Sequence, residues 1–241
     1  MDKYIVAFLD MLGTTKLIQS ESSEDARKKL RFLYKQMFAL SEDQSPNEIS
    51  IKIFSDNLLV AQKLDGKNDP TIINHFIQSI AAFQFTSVID YNWLLRGGIT
   101  IGDLEIDDIM VWGNALVRSH NLESGIAYYP RVIIDPTPDI LNRLHDSGIH
   151  KDSWLQYDMD GQYFVHYLYG RWGYRNLSAS LAHSFDCIVR RSQGTNGIID
   201  NRVFQKLGWH KRYVNKFLRT LDNASHYLSF PSTGGAAFSP D

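Results

Sequence analysis

The stretch Ile49 to Ala61, ISIKIFSDNLLVA, constrains the chain most. Ile49, Ile51 and Ile53 alternate with Ser50, Lys52 and Phe54, the period-two pattern of a strand with one buried face. Ser55-Asp56-Asn57 turns the chain over, and Leu58-Leu59-Val60-Ala61 is a short apolar run that can pair back. The alternation sets Lys52, Phe54 and, approximately, Asp56 opposite the isoleucines. Aspartate is an ordinary turn residue. At a hairpin tip beside buried strands it also invites a chemical reading once a second carboxylate joins it. Tyr4-Ile5-Val6-Ala7-Phe8-Leu9 predicts a central strand that runs straight into Asp10-Met11-Leu12-Gly13. Asp10 thus ends a buried strand, where open α/β sheets tend to bind ligands. Two such aspartates can converge on a divalent cation, and their hard oxygens suit Mg²⁺ or Mn²⁺. No His/Cys cluster with zinc spacing competes with that reading.

The rest of the chain supplies the frame. Residues 22–41 predict a helix capped by Ser23, with Leu30, Leu33, Tyr34, Met37 and Phe38 as its apolar stripe. A polar turn at 65–68 leads into a second helix opened by Asp69-Pro70 and burying Ile73, Phe76, Ile77, Ile80, Phe83 and Val88. Residues 93–102 form a strand with glycines at 97 and 98, which signal either close approach of another group or a bulge. Asp107-Asp108 turns into a strand at 109–112, and Gly113 opens a helix over 114–124 with Ala115, Leu116, Ser119 and Leu122 toward the sheet. Its other face carries Asn114, Arg118 and Asn121. A strand at 131–134, a short helix at 139–145, an edge hairpin at 157–168 and helices at 177–191 and 203–221 complete the expectation. The order through Val111 is β-α-β-β-α-β plus one strand, an α+β, ferredoxin-like arrangement with an extra C-terminal hairpin and helices. Helices should cover one face of its sheet. The face with Phe8, Lys52, Phe54, Arg96 and Thr100 should meet a partner subunit and a ligand. The expected division is a core over 1–135, an extension over 136–224 packed on it, and a flexible tail over 225–241.

Composition excludes several classes. The 241 residues carry a formal charge of −2, which gives no footprint for nucleic acid. The single cysteine, Cys187, excludes an intrachain disulfide and fits a reducing cytoplasm. No run of about 18 apolar residues predicts a membrane span, and the start MDKYIVAFLD lacks the features of a signal peptide.

Four segments carry a family resemblance. Phe8-Leu9-Asp10-Met11-Leu12-Gly13 resembles the F-x-D-x-x-G metal motif of class III nucleotidyl cyclases. Lys52-Ile53-Phe54-Ser55-Asp56 resembles their K-x-x-G-D hairpin, with Ser55 in place of glycine. Residues 95–102 look like their next strand, and Trp112-Gly113 with Leu122-Glu123-Ser124 matches the ends of their last motif. The wording FSDN, RGGITIGD, WGNALV and YPRVIID is more similar still to the pyrimidine cyclase (PycC) family of bacterial Pycsar antiphage systems.

The resemblance implies a homodimer with sites at the interface, in which Asp10, Asp56 and the carbonyl of Met11 hold two Mn²⁺ or Mg²⁺ ions. One ion would lower the pKa of the ribose 3′-hydroxyl, which attacks the α-phosphorus, and the other would neutralise the triphosphate and departing pyrophosphate. The last motif departs from purine cyclases: their Asn and Arg positions hold Val117 and Asn121. Where adenylate cyclases pair the hairpin Lys with an Asp, Met110 stands, which accepts no hydrogen bond from an adenine amino group as an Asp would. A pyrimidine pocket follows, with UTP ahead of CTP as substrate and cUMP or cCMP as a second messenger for an unidentified effector. The catalytic candidates are Asp10, Asp56, Arg96 and Arg118, either arginine being able to fill the charge vacancy. The substrate-contacting candidates are Phe8, Lys52, Phe54, Met110, Asn114 and Asn121. A purine cyclase or polymerase-like nucleotidyl transferase could use the same two aspartates, and a catalytically inactive, nucleotide-binding dimer is the reading from another class.

Overall fold

A computed structural model of the chain describes residues 1–13, 24, 27, 28, 31, 35, 49–150, 153–170, 176–194, 197–221 and 224–230. The helix expected over 22–41 lies largely outside them; Glu24, Arg27, Lys28, Arg31 and Lys35, which are described, are helical. The chain divides into two units, Met1–Gly173 and Tyr174–Asp241.

The apolar opening run forms β1 (Asp2–Met11), an interior strand of the first unit's sheet. It pairs antiparallel with β3 (Asn57–Lys63) on one side and β4 (Leu95–Ile106) on the other. β2 (Ile49–Phe54) closes that side as the edge strand, giving the order β2-β3-β1-β4 of a ferredoxin-like sheet. Beyond β4 the sheet continues through β6 (Val132–Ile134), parallel to β4, to β8 (Tyr163–Val165) and β7 (Leu155–Tyr157). The two-residue β5 (Val111–Trp112) pairs only with the far end of β4. The fold is α+β with a mixed sheet.

Two corrections follow from this sheet. The isoleucines of β2 do not form a buried face: no residue of that strand is buried, and Ile53 is 45% exposed because its strand is the edge. The strand expected over 109–112 shrinks to two residues while β4 runs on to Ile106, so Ile109 is left on an exposed turn. The β7–β8 hairpin belongs to the same sheet, within the unit that runs to Gly173.

Helix α1 (Asp69–Tyr91) carries Pro70 in its first turn and ends on Asn92, whose left-handed backbone lets its N–H reach Ser87 and Val88 oxygens. All six of its predicted core residues are buried. By length and apolarity α1 could cross a bilayer, but 61% of its most apolar window is buried within the protein, which accounts for that apolarity. Helix α2 (Asn114–Asn121) passes into a π-helical turn at Leu122–Ile126, and α3 (Pro138–Asp146) packs against α1.

Helix α2 lies across β1 and β4. Ala115 joins Val6, Phe8, Leu59, Ala61 and Leu104 in one buried cluster. The face expected to await a partner and a ligand is therefore covered there by the chain's own helix, with Phe8 and Thr100 buried. Glycine permits the approach. A Cβ at Gly98 would sit 2.4 Å from Leu122 Cβ, and one at Gly102 would sit 2.7 Å from Asn114 Oδ1. Of the expected glycine pair, Gly98 marks the close approach of α2 and its π turn, whereas a Cβ at Gly97 would meet Phe8 O and Leu9 of β1 at 2.5 and 2.6 Å.

The second unit pairs α4 (Leu177–Ser192) with α5 (Asn201–Leu218), the latter capped by the Asp200 side chain on the Arg202 and Val203 N–H groups. His210 is buried beside Phe185, and burial pushes its pKa down to about 3, so it is neutral. The tail expected to be loose from Ser225 is anchored at its start. Asn215 donates to the Leu228 carbonyl (3.0 Å) and accepts from its N–H (2.8 Å), and Phe230 stacks on Phe204. Residues 231–241 lie outside the described chain.

Candidate active site

Register brings the two aspartates together. Asp10, the penultimate residue of β1, is level with Asn57 on β3 and with Arg96 on β4. Asp56 immediately precedes Asn57 in the β2–β3 turn, and its carbonyl accepts the Met11 N–H at 3.3 Å. Ser55 takes a left-handed backbone (φ 60) to make that turn, a conformation that glycine adopts more readily. Asp10, Met11, Gly13, Asp56, Asn57, Arg96, His120 and Glu123 line one cleft of about 390 Å³.

The cleft is strongly charged. Arg96 Nε donates to Asp10 Oδ2 at 2.7 Å, and Arg96 Nη2 lies 2.8 Å from Glu123 Oε1. Glu123 is buried on the π turn. Asn57 Nδ2 approaches Asp56 Oδ1 at 3.4 Å, and His120 stands edge-on to Phe8 with ring centroids 5.2 Å apart.

The donor set fits a hard divalent cation. Asp10 and Asp56 come from neighbouring strand ends, Met11 lines the cleft with them, and Asp10 and Glu123 are both ion-paired to Arg96. Among the described residues, no group of three His, Cys, Asp or Glu is placed to hold a metal by itself. Oxygens of water and of a bound ligand would complete the coordination, as is usual for Mg²⁺.

The other expected residues lie elsewhere. Arg118 does not line the cleft: its Nε and Nη2 both donate to Asp135, each at 2.8 Å, and the Thr100 hydroxyl joins them on Asp135 at 2.8 Å. Burial pushes the Asp135 carboxyl up, but the hydrogen bonds from Arg118 and Thr100 outweigh it and hold the group below the usual carboxylate range. Asn114 accepts the Asp103 N–H at 2.9 Å and so ties α2 to β4. Asn121 is exposed at the end of α2, and Phe8 is buried against Ala115 and the His120 ring of that helix. Lys52 and the half-exposed Phe54 share the sheet face of Asp10 and Arg96 by register, two strands from Asp10 and three from Arg96. Met110 sits in the β4–β5 turn, where Asp107 Oδ1 accepts the N–H groups of Ile109 and Met110, each at 2.7 Å. Those N–H groups hold the Asp107 carboxyl below its ordinary range, and the charge of Lys52 adds to the effect, so Lys52 is in electrostatic reach of this turn.

Sequence reasoning misses Glu123, His120, Asn57 and Asp135. Glu123 lies in the Leu122-Glu123-Ser124 match, but there it marks only the end of a helix.

No family model matches the chain, and no curated protein matches it in sequence. Solved structures do. The chain is similar to the adenylyl cyclase CyaB from P. aeruginosa, with 15% identity over 68% of this chain and 93% of that one and a TM-score of 0.47. It is similar to the guanylyl cyclase Cya2, with 12% identity over 68% of this chain and 92% of that one and a TM-score of 0.43. A third similar structure is the catalytic core of a rhodopsin-guanylyl cyclase with converted specificity in complex with ATPαS, with 14% identity, 68% and 94% coverage and a TM-score of 0.47.

Proposed function

We propose that this chain is a pyrimidine nucleotide cyclase, converting UTP ahead of CTP to the 3′,5′-cyclic monophosphate and pyrophosphate. The observation that carries the reading is the convergence of Asp10 and Asp56, from adjacent strand ends, on one cleft. Asp10, Asp56 and the Met11 carbonyl would hold Mn²⁺ or Mg²⁺, which when bound neutralises the triphosphate and lowers the pKa of the 3′-hydroxyl. The 3′-oxygen bonds to the α-phosphorus, the bond from that phosphorus to the β-phosphate bridging oxygen breaks, and the hydroxyl proton passes to solvent. Arg96 lines the cleft, paired to Asp10 and Glu123, and would turn to the phosphates, whereas Arg118 is held by Asp135 outside the cleft lining.

Lys52, whose charge reaches the β4–β5 turn, would read a base carbonyl, and Met110 removes the acceptor that an adenine amino group needs. Exposed apolar side chains at Phe54, Met110, Trp112 and Val117 support a homodimer whose interface completes the site. The reading extends to a cytoplasmic enzyme whose cyclic product is a second messenger in antiphage defence. A second reading, a catalytically inactive nucleotide-binding dimer, draws on the commitment of Arg118 to Asp135 and on Val117.

The test is incubation of purified protein with Mn²⁺ and each of the four nucleoside triphosphates, with products identified by mass spectrometry. Cyclic UMP from wild type, lost in Asp10→Ala and in Asp56→Ala at matched thermal stability, is the expected result. Turnover by either variant at the wild-type rate overturns the two-aspartate assignment. Saturable triphosphate binding with no cyclic product from any base establishes the second reading.

A further inference from the structure

Leu122 and Glu123 are successive residues, yet both are buried. The π turn at Leu122–Ile126 makes this possible: Leu122 packs over Gly98 while the Glu123 carboxylate turns to Arg96. A buried carboxylate is costly unless paired. Its counter-charge is Arg96, which stands between two acids, 2.7 Å from Asp10 and 2.8 Å from Glu123. Arg96 itself is only partly buried and lines the cleft, so it can shift between them.

We propose that Glu123 is a positioning residue that takes over the Arg96 guanidinium when a divalent cation binds Asp10. The inference rests on the metal assignment under the proposed function. In the metal-free protein, Arg96 supplies positive charge to the Asp10 carboxylate. A dication arriving at Asp10 must displace that guanidinium and then sits near it, at a repulsion that grows as the cleft excludes water. Glu123 offsets the repulsion by holding Arg96 away from Asp10 but inside the cleft. Metal binding is then an exchange of cations on Asp10, with no guanidinium left unpaired. The exchange also leaves Arg96 free of Asp10 and directed at whatever phosphate the metal brings.

The experiment measures Mn²⁺ binding to the full chain, with no nucleotide, from the electron paramagnetic resonance signal of free Mn²⁺. Glu123→Gln leaves the displaced guanidinium without its carboxylate, so Mn²⁺ affinity should fall about tenfold, a usual size for coupling between sites. In the double variant Arg96→Met/Glu123→Gln no guanidinium remains to be displaced, so affinity should return to the wild-type value or exceed it. A packing role for Glu123 gives no such reversal, and equal weakening in both variants overturns the proposal. Should Glu123→Gln fail to fold, the charge-neutral double variant decides against wild type, with binding tenfold weaker overturning the proposal. Asp10→Asn separates the two layers. If it abolishes Mn²⁺ binding while Glu123→Gln binds like wild type, only the exchange is wrong. If it binds Mn²⁺ like wild type, the metal assignment falls and the exchange falls with it.

Discussion

Replacing Gly98 with alanine tests how α2 is held to the sheet. The new Cβ would lie 2.4 Å from Leu122 Cβ, 2.7 Å from the Ser119 carbonyl oxygen and 3.2 Å from the Glu123 nitrogen. Favourable carbon contacts begin near 3.5 Å, so helix and strand must part by about 1 Å. None of the three obstructing atoms is the far end of a flexible side chain, so no rotamer change relieves the clash. Overpacking of this kind costs about 1–3 kcal/mol, and the involvement of backbone on both sides places Gly98→Ala at the upper end. For a unit of this size a loss of about 3 kcal/mol lowers Tm by roughly 6–12 °C. Urea unfolding followed by circular dichroism gives the free energy, with an unchanged slope expected. Gly125→Ala is the control. It lies on the same π turn with no positive φ, a Cβ added there would meet nothing within 4 Å, and the variant should be neutral or slightly stabilising. If the two variants differ by less than about 0.5 kcal/mol, the account of Gly98 as the contact that admits α2 is wrong.

Two further outcomes follow from the same geometry. Ser55→Gly relieves a left-handed backbone (φ 60) and should raise stability by up to about 1 kcal/mol in the same urea assay; a lower midpoint refutes strain at that turn. Asp135→Asn should cost about 2–3 kcal/mol at pH 7, less than a fully buried pair because Arg118 is partly solvated. The Asp135 carboxyl is held below its ordinary value of 3.8, so its stabilisation is present above that value and is lost as pH falls through the folded pKa. The gap between wild type and Asp135→Asn should therefore close below about pH 4, and a gap constant from pH 7 to pH 3 rules out the ionised pair as its source.

Much of the frame is legible in the sequence. Period-two alternation, the apolar opening run and the Asp-Pro helix start locate β1, β2, β3 and α1, because each depends on local pattern alone. The pairing of Asp10 with Asp56 is legible too, since both stand where strands end. Contacts set by cross-strand register are not. Arg96 meets Asp10 because β1 and β4 align those residues, and periodicity gives no register between strands 86 positions apart. Arg118 reads from periodicity as a free cation on a polar helix face, yet its partner Asp135 comes from the end of β6. Strand alternation alone leaves one sheet face open for a partner subunit, although the glycines at 98 and 102 signal that a helix lies there.

The buried Arg131 bears on the far side of the sheet. Only 1% exposed, it is ion-paired to Asp158 and Asp160 in the β7–β8 turn and lies over the Tyr129 and Phe164 rings. The β-ladder in this region is minimal, with Ile133 opposite Phe164 as the paired position between β6 and β8. So short a ladder can slip by one residue at little cost in backbone hydrogen bonds, and a slip would turn every side chain of the hairpin to the wrong face. The guanidinium forbids it, because a shifted hairpin would leave a buried cation without its two carboxylates. Charge, rather than hydrogen-bond count, fixes the alignment of the last three strands, and a misaligned hairpin is penalised before it can offer its edge to another chain.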